Sequence, residues 1–459
     1  MRYLDPHEIA DWAPDPSLAD AGRTALHDSN RVLTGLGLAG PGQQMGQRWA
    51  VGCVALEITQ RCNLDCTACY LSDHSEAVRD IPLEAVFARI DAIAAHYGPG
   101  TDVQVTGGDP TLRKPDELEA IVARVASLGM RPTLMTNGIK ASEKLLRRLA
   151  SAGLMDVAFH VDTTQERKGF SDEQSLHVLR DRYLNAAAAA GLSVMFNTTL
   201  HGGNFHELPL LVRYFLSRAK SLRTASFQLQ ADTGRGLLRT RDTVITKDTA
   251  IAAIEREAGT ALGFDASLIG HPDCTRYALS VSVGDKVVPL FDNAELVRAV
   301  QQETADVTFH RDRPLATAWE LARRFALRPR LVARTLPWLA RKLRELVPAV
   351  GVARSRPHTV SFVIHDFMHE HCLDPDRIRA CAFKVMTANG PMSMCMVNAK
   401  RDSLILEPVA VGTAADARYW NPLTGEYSSK APSTSVSVSM HPLKRLKGRV
   451  RKERLLERA

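Results

Sequence analysis

Arg61-Cys62-Asn63-Leu64-Asp65-Cys66-Thr67-Ala68-Cys69-Tyr70 sets three cysteines in the spacing C-x3-C-x2-C, directly after an apolar, β-branched run at 54–60. Three thiolates on one short loop can each take one iron of a [4Fe–4S] cube, because soft sulfur donors suit iron–sulfur clusters and close spacing converges them. The fourth iron then has no local ligand and stands open to a chelating molecule, as the open position of a catalytic zinc does. A zinc knuckle or a set of reactive thiols is the competing reading. A structural zinc site, however, closes with a fourth cysteine or histidine nearby.

Working outward from this loop, short β-branched runs at 54–60, 102–106, 131–136, 156–160, 193–197 and 224–230 alternate with segments of helical period at 82–97, 115–128, 142–152, 173–190 and 207–219. That alternation predicts parallel strands with crossover helices. Gly129, Gly153 and Gly191 follow the last turns of three of the helices, where a left-handed cap favours glycine. The fold class expected is α/β, a partial (β/α)6 barrel with a C-terminal α+β cap, its active residues on the loops after the strand C-termini. Residues 1–50 read as an ill-defined leader containing the glycine-rich stretch 35–42, 51–240 as the barrel, 241–410 as the cap, and 411–459 as a Ser/Thr-rich linker and basic tail.

At 459 residues with 45% hydrophobic and 24% charged side chains, the chain can bury two to three domain cores. It has no run of 18 uncharged apolar residues, and the start at Met1-Arg2-Tyr3-Leu4 lacks the pattern of a secretory signal. A cytoplasmic location is expected, and there eight cysteines point to metal or redox chemistry rather than disulfides. The formal charge of +7 is uneven: 311–356 carries twelve basic against three acidic residues, 444–458 eight against two, and the remainder is therefore at −8. In 311–356, prolines 314, 329, 337, 348 and 357 are expected to break the chain into short helices. There Trp319, Leu331, Trp338, Leu339 and Leu343 alternate with arginines, a composition suited to an anionic interface or to a solvated helix face.

The cysteine spacing after a first strand resembles the radical S-adenosylmethionine (SAM) superfamily. The second strand is followed by Thr106-Gly107-Gly108-Asp109-Pro110-Thr111, which looks like the family's Gly-Gly-Glu segment with Asp in place of Glu. The resemblance implies that Gly107, Gly108 and Asp109 meet the methionine amino group. It also implies that Asn137, Asp162 and Asn197, after the third, fourth and fifth strands, contact the ribose or carboxylate. Ala68 stands where the family has an aromatic, so Tyr70 is the candidate for packing against adenine.

Beyond the loop, Gly270-His271-Pro272-Asp273-Cys274 and His365-Asp366-Phe367-Met368-His369 resemble the branch of tetraether-lipid synthases and dihydropterin methyltransferases. That resemblance implies an auxiliary [4Fe–4S] cluster on Cys274, Cys372, Cys381 and Cys395, with buried free thiols as the alternative. Two fully Cys-ligated auxiliary clusters would need more cysteines than the five outside the loop, and no Asp-x-His-x-x-Gly motif marks a cobalamin domain. His369 and His371 read as a polar surface turn. The activity implied is reductive SAM cleavage to a 5′-deoxyadenosyl radical and hydrogen abstraction from an unactivated carbon, of a lipid first, for C–C bond formation or alkylation. Radical methylation or rearrangement of a pterin-like heterocycle is the alternative, and a basic iron–sulfur nucleic-acid-binding protein the alternative from another class. The partners implied are a flavodoxin- or ferredoxin-type electron donor and a peripheral contact with the inner face of the membrane, with nucleic acid the disfavoured partner.

Overall fold

The computed structural model describes residues 2–14, 24–38, 51–236, 243–267, 269–305, 307, 313–412 and 416–430. The expected basic tail at 444–458, residues 413–415 and 431–443 of the expected linker, and part of the glycine-rich leader lie outside the described residues.

The six expected strands are β1 (Cys53–Thr59), β2 (Asp102–Gly107), β3 (Arg131–Thr136), β4 (Asp156–His160), β5 (Ser193–Leu200) and β6 (Leu222–Leu229). They lie side by side in chain order and all run parallel. The C-terminal region adds β7 (Thr275–Val283), β8 (Lys286–Pro289), β9 (His358–His365), β10 (Phe383–Thr387) and β11 (Gly390–Ser393) to the same sheet. Its order is β11-β10-β1-β2-β3-β4-β5-β6-β9-β7-β8. Two of the added strands are parallel, β10 beside β1 and β9 beside β6, so the parallel run extends past the six strands expected. Val360, Phe362 and Ile364 of β9 are buried at every second position, the period of a strand with one inward face.

Ahead of the sheet come α1 (Pro6–Asp11) and α2 (Ala25–Gly35). The crossovers are α3 (Leu83–Tyr97), α4 (Pro115–Ser127), α5 (Glu143–Ser151), α6 (His177–Ala189) and α7 (Leu208–Ser217), followed by α8 (Lys247–Ala258) and α9 (Ala294–Glu303). Their sequences explain them. In α4, Pro115 fits the first turn, where no backbone N–H is needed, and Leu118, Ile121, Val122 and Val125 form one buried stripe. Ser142 caps α5 by accepting from Leu145 N at 3.3 Å. Between helices and sheet, Phe159, Phe196, Phe215 and Phe227 pack in series with ring centroids 5.8–6.0 Å apart, the Phe196 and Phe215 rings stacked and the other pairs tilted.

The basic segment forms α10 (Pro314–Ala326) and α11 (Pro329–Ala353) rather than several short pieces. Pro314 and Pro329 begin helices, whereas Pro337 and Pro348 lie inside α11 at exposed positions, where the carbonyls they leave unbonded are near water. The chain ends with α12 (Pro375–Arg379), α13 (Met394–Ala399), α14 (Arg401–Leu406) and a small antiparallel sheet of β12 (Val409–Val411), β13 (Arg418–Trp420) and β14 (Tyr427–Ser428). The C-terminal end of β9 meets the start of β10 across a seam, with the His365 and Phe383 rings 4.8 Å apart.

Candidate active site

The cysteine loop is laced to the end of β2. Gly108 N donates to Thr59 O at 2.9 Å, Asp109 N to Arg61 O at 2.8 Å, and the Tyr70 hydroxyl to Gly107 O at 2.5 Å. This approach needs glycine: a Cβ on Gly107, whose φ is +126°, would lie 2.0 Å from Thr59 O, and one on Gly108 would lie 2.0 Å from Arg61 O. From the other side a strap after β6 closes on the loop, Arg235 N donating to Leu71 O at 2.8 Å and Gly236 N to Cys69 O at 3.0 Å. The Arg235 side chain is buried beside Cys69, Asp65 and Glu76; burial opposes its charge, but these three neighbours raise its pKa.

Within the loop the three sulfurs are mutual neighbours. Loss of hydration pushes the Cys66 thiol well up, reinforced by Cys69 and Cys62, and pushes Cys62 up to about 11. Asn137 Nδ2 lies 3.9 Å from Cys62 Sγ and donates to Asn63 Oδ1 at 2.6 Å.

The residues expected to meet SAM divide into two groups. Asp109 is fully buried and its carboxylate is used within the protein: it accepts from Thr111 N at 3.0 Å, Thr136 Oγ1 at 2.9 Å and Asn137 N at 2.9 Å, and from the Thr111 hydroxyl. Through these bonds Asp109 braces the end of β2 against the end of β3. Asp162 does the same between β4 and β5, accepting from Thr164 N at 3.0 Å and Thr199 N at 2.7 Å, and facing His160 Nε2 at 2.6 Å. Burial would raise the Asp162 pKa, but His160 and these donors hold it far below the usual carboxylate range. In turn burial opposes a proton on His160 and Asp162 overrides it, so the His160 pKa rises. Tyr70 and Asn197, by contrast, line a cavity together with Ala68, Cys69, His160 and Thr199.

That cavity has a volume of about 710 Å³ and runs down the inside of the sheet. At one end are Cys69, Tyr70 and His160; at the other are Asp102, Arg131, Asp156 and Arg223, which begin or nearly begin their strands. A six-residue strand such as β2 spans roughly 20 Å, which sets the length of the lumen. Its wall is mostly apolar, with Ala55, Met135, Val194, Leu279 and Val363 between the two ends. Midway lies Ser226, whose buried hydroxyl has no hydrogen-bond partner.

Residues 56–214 match the sequence profile of the Radical SAM superfamily. The chain carries a radical SAM domain. It is 28% identical over 219 residues to the PqqA peptide cyclase of Xanthomonas oryzae pv. oryzae, a match covering 46% of this chain and 58% of the relative. It is 25% identical over 186 residues to the 7,8-dihydro-6-hydroxymethylpterin dimethyltransferase of Methanocaldococcus jannaschii, covering 39% and 36%. The chain thus spans little more than half the length of the curated relatives it matches first. Among solved structures, Streptococcus suis SuiB bound to S-adenosylmethionine overlaps 42% of this chain and 45% of its own, at 12% identity and a TM-score of 0.33.

Radical SAM proteins use a [4Fe–4S] cluster and SAM, and the donors of this domain fit both. Three neighbouring thiols, with burial disfavouring the charge of Cys62 and Cys66 and a buried arginine beside Cys69, suit sulfur ligands that a metal keeps ionised. No group of three His, Cys, Asp or Glu among the described residues converges on a single metal ion. A cube asks less of its loop, because each thiolate binds a different iron. Cys62, Cys66 and Cys69 are therefore the residues that could hold the cluster. His160, Asn197 and Thr199 place polar groups at the same end of the lumen.

The radical SAM domain is backed by a second set of cysteines at the seam. Burial raises the Cys395 thiol, which also feels Cys381 and Cys274; burial raises Cys274 to about 11, and Arg377 Nε lies 3.4 Å from its sulfur. Cys381 in turn neighbours Cys53 at the start of β1. Cys372, expected with them, lies in a turn closed by its own N–H on His369 O at 3.1 Å. His369 and Glu370 clasp the strap after β6, with His369 Nδ1 2.9 Å from Asp232 N and Glu370 Oε2 3.0 Å from Gly234 N. Two cavity residues went unnoticed in the sequence, Glu57 and Arg401. Their buried ion pair spans 2.9 Å, and the Arg401 guanidinium lies 4.6 Å from the centre of the Tyr70 ring. Arg401 is 331 positions beyond Tyr70, so no local pattern could signal it.

Proposed function

We propose that this chain is a radical SAM enzyme acting on a carbon of an elongated, mostly apolar substrate held in the barrel lumen. The observation carrying this reading is the lumen itself, about 710 Å³, open along the length of the strands and lined chiefly by apolar side chains. Ligand sites span roughly 300–1,000 Å³, so this volume has room for SAM near Cys69 and for a substrate below it. When bound, the cluster and SAM supply an electron and a 5′-deoxyadenosyl radical that takes hydrogen from an unactivated carbon.

The chain's own residues would prepare the site. Arg235 offsets thiolate charge at Cys69, while the brace of His160 on Asp162 fixes the polar end of the lumen. Tyr70, held from behind by Arg401, forms a flat wall beside Cys69. The long apolar wall excludes water from a reactive intermediate. Carbon–carbon bond formation or alkylation is the outcome we assign, on a lipid-like chain, with a flavodoxin- or ferredoxin-type donor supplying the electron. Cys274, Cys381 and Cys395 are the candidate ligands of an auxiliary cluster.

One observation favours a second reading, a small heterocycle of the pterin kind. The unpartnered Ser226 hydroxyl, near Thr133, Thr224 and Ser361, could bind a polar ring within the lumen. The test is 5′-deoxyadenosine formation by the anaerobically reconstituted, reduced protein with SAM and a membrane-lipid extract, a pterin or a short peptide. Stimulation by lipid, lost in Ser226→Phe while slow substrate-free SAM cleavage persists, is the expected result. Stimulation by the pterin or the peptide alone overturns the substrate class, and no SAM cleavage under any condition overturns the enzyme.

A further inference from the structure

The helical hairpin of α10 and α11 has one face fixed to the protein and another left bare. Asp292 anchors the inner face, accepting from Trp338 Nε1 at 3.0 Å, Arg341 Nη1 at 2.6 Å and Lys342 Nζ at 2.7 Å, while Arg334 pairs with Glu295 at 2.8 Å. On the outer side Leu336, Leu339, Leu343 and Val347 recur every three or four residues, so they share one stripe of α11, and each is 42–65% exposed. Leu315 and Trp319 of α10 and Leu327 at its C-cap, 65–85% exposed, repeat the pattern at helical spacing. More than half of the large exposed hydrophobic residues among those described fall on this one hairpin. Single exposed leucines are ordinary; a concentration of this kind marks an interaction surface.

The charges say what covers it. Arg344 lies on the flank of α11 beside the leucines, Arg330 lies on the same flank nearer the anchored face, and Arg323 of α10 lies between Trp319 and Leu327. None of the three makes an ion pair with any described residue, nor do Arg354 and Arg356 beyond the helix. We propose that this hairpin docks in the interface of an anionic lipid bilayer, its leucines and Trp319 among the acyl chains and its arginines at the phosphates. A nucleic acid would reward the arginines but not the apolar stripe. A second copy of the chain would set arginine against arginine across a two-fold axis. An anionic bilayer satisfies both strips of an amphipathic helix at once. No described helix is long and apolar enough to cross a membrane, so the contact is peripheral.

The position of the hairpin gives the contact a use. α11 leads directly into β9, and Thr359, Ser361 and Val363 of that strand line the lumen. Thr359 Oγ1 also accepts from Arg223 Nη1 at 2.6 Å, at the end of the lumen away from the cysteine loop. The docked surface and that mouth are thus neighbours along the chain. The docking itself rests on the hairpin alone and holds whatever the substrate is.

Flotation of the full-length protein with vesicles of phosphatidylcholine, with and without phosphatidylglycerol, tests the proposal. The wild type should float with the anionic vesicles and be released by salt. Trp319→Ser with Leu336→Glu and Leu343→Glu should weaken binding by at least about tenfold, since each removes apolar area from the bilayer. These positions are exposed, so the thermal melt should not change. Arg330→Glu with Arg344→Glu should weaken it by about fivefold or more per position at low salt. The proposal fails if the wild type does not float, or if the apolar variant floats as well as the wild type. It fails equally if duplex DNA competes the protein off vesicles at the same salt, or if the wild type is a dimer that the apolar variant converts to monomer.

Discussion

The cysteine loop after β1 and the cysteine group at the seam are built from the same donor in opposite ways. In the loop, Cys62, Cys66 and Cys69 lie within eight residues, and the rest of the protein comes to them: Gly107 and Gly108 from β2, Asn137 from β3, and Arg235 from the strap after β6. At the seam, Cys274, Cys381 and Cys395 come from three separate segments and meet only because β9 and β10 approach each other, with Arg377 as the one arginine beside them. A loop that carries its donors in sequence keeps them together whatever happens elsewhere. A seam holds its donors only while the sheet edges stay docked.

The largest effect should follow from attacking the loop. Replacing Cys62, Cys66 and Cys69 together by alanine removes every thiolate that could hold the first cluster, and 5′-deoxyadenosine formation should fall to background in the anaerobically reconstituted protein. Because the loop is held by backbone bonds to Thr59, Arg61 and Thr164, the triple variant should remain folded by circular dichroism. If product persists, the radical chemistry does not run through this loop.

Next in size is the scaffold behind the polar end of the lumen. Arg180 and Glu173 form a fully buried ion pair, Arg180 also donating to Val161 O at 2.8 Å and Glu173 accepting from Thr163 N at 3.0 Å and Asn204 Nδ2 at 2.8 Å. Removing one member strands the other charge without water, so Glu173→Gln should cost about 3–5 kcal/mol in urea unfolding. No comparable buried pair is seen among the cysteines of the seam, so the two regions should separate in such an experiment: the variant should loosen the His160 end while the seam thiols keep their protection from alkylation. A cost below about 1 kcal/mol would show that the pair is redundant.

The seam itself is tested by counting iron. If Cys274, Cys381 and Cys395 hold an auxiliary cluster, reconstituted protein should contain about eight irons, and the triple alanine variant about four. Cys372→Ala should leave the count unchanged. Iron near four in the wild type would leave the seam cysteines as buried thiols, and a loss of iron in Cys372→Ala would return that residue to the ligand set.

The same contrast between near and distant residues explains what the sequence could reveal. Six strands, five crossover helices and the loop were legible, because each is written in a local period or spacing. β9 was legible in principle through its alternating Val360, Phe362 and Ile364, but its partner β6 ends more than a hundred residues earlier. β10 likewise pairs with a strand at the other end of the chain. Asp109 was visible as a residue, but its internal partners were not. Nothing in Gly-Gly-Asp-Pro announces that Thr136 and Asn137 will consume its carboxylate. Arg235 and Arg401 belong to the site by long-range packing, which leaves no mark in sequence spacing, whereas His160 stands two residues from Asp162 in the motif after the fourth strand.

The smallest effect expected is a pH dependence at the polar end of the lumen, where His160 faces Asp162. Asp162 is held below its ordinary range, so its share of stability is present above the unfolded carboxylate pKa, about 3.9, and is lost as pH falls through the folded value. His160 is raised, so its share is complete below about 6.5 and is lost as pH rises through its folded value. The two shares coincide between these limits, and in that window the pair should be strongest. Glu173 reinforces the raised His160 pKa and Arg167 opposes it. With Asp162 buried and His160 about one-third exposed, the contribution should be on the order of 1 kcal/mol, between the exposed and buried cases. Urea midpoints should therefore fall modestly as pH rises from 6 toward 9 in the wild type, and His160→Gln should flatten that alkaline slope and also lessen the acid one, because His160 is a main cause of the lowered Asp162 pKa. The seam has no raised histidine to compare: burial lowers His365 to about 4, so it is neutral throughout this range. His365→Gln should consequently leave the alkaline slope as it is in the wild type. An unchanged slope in His160→Gln, or a flattened one in His365→Gln, would place the titrating group elsewhere.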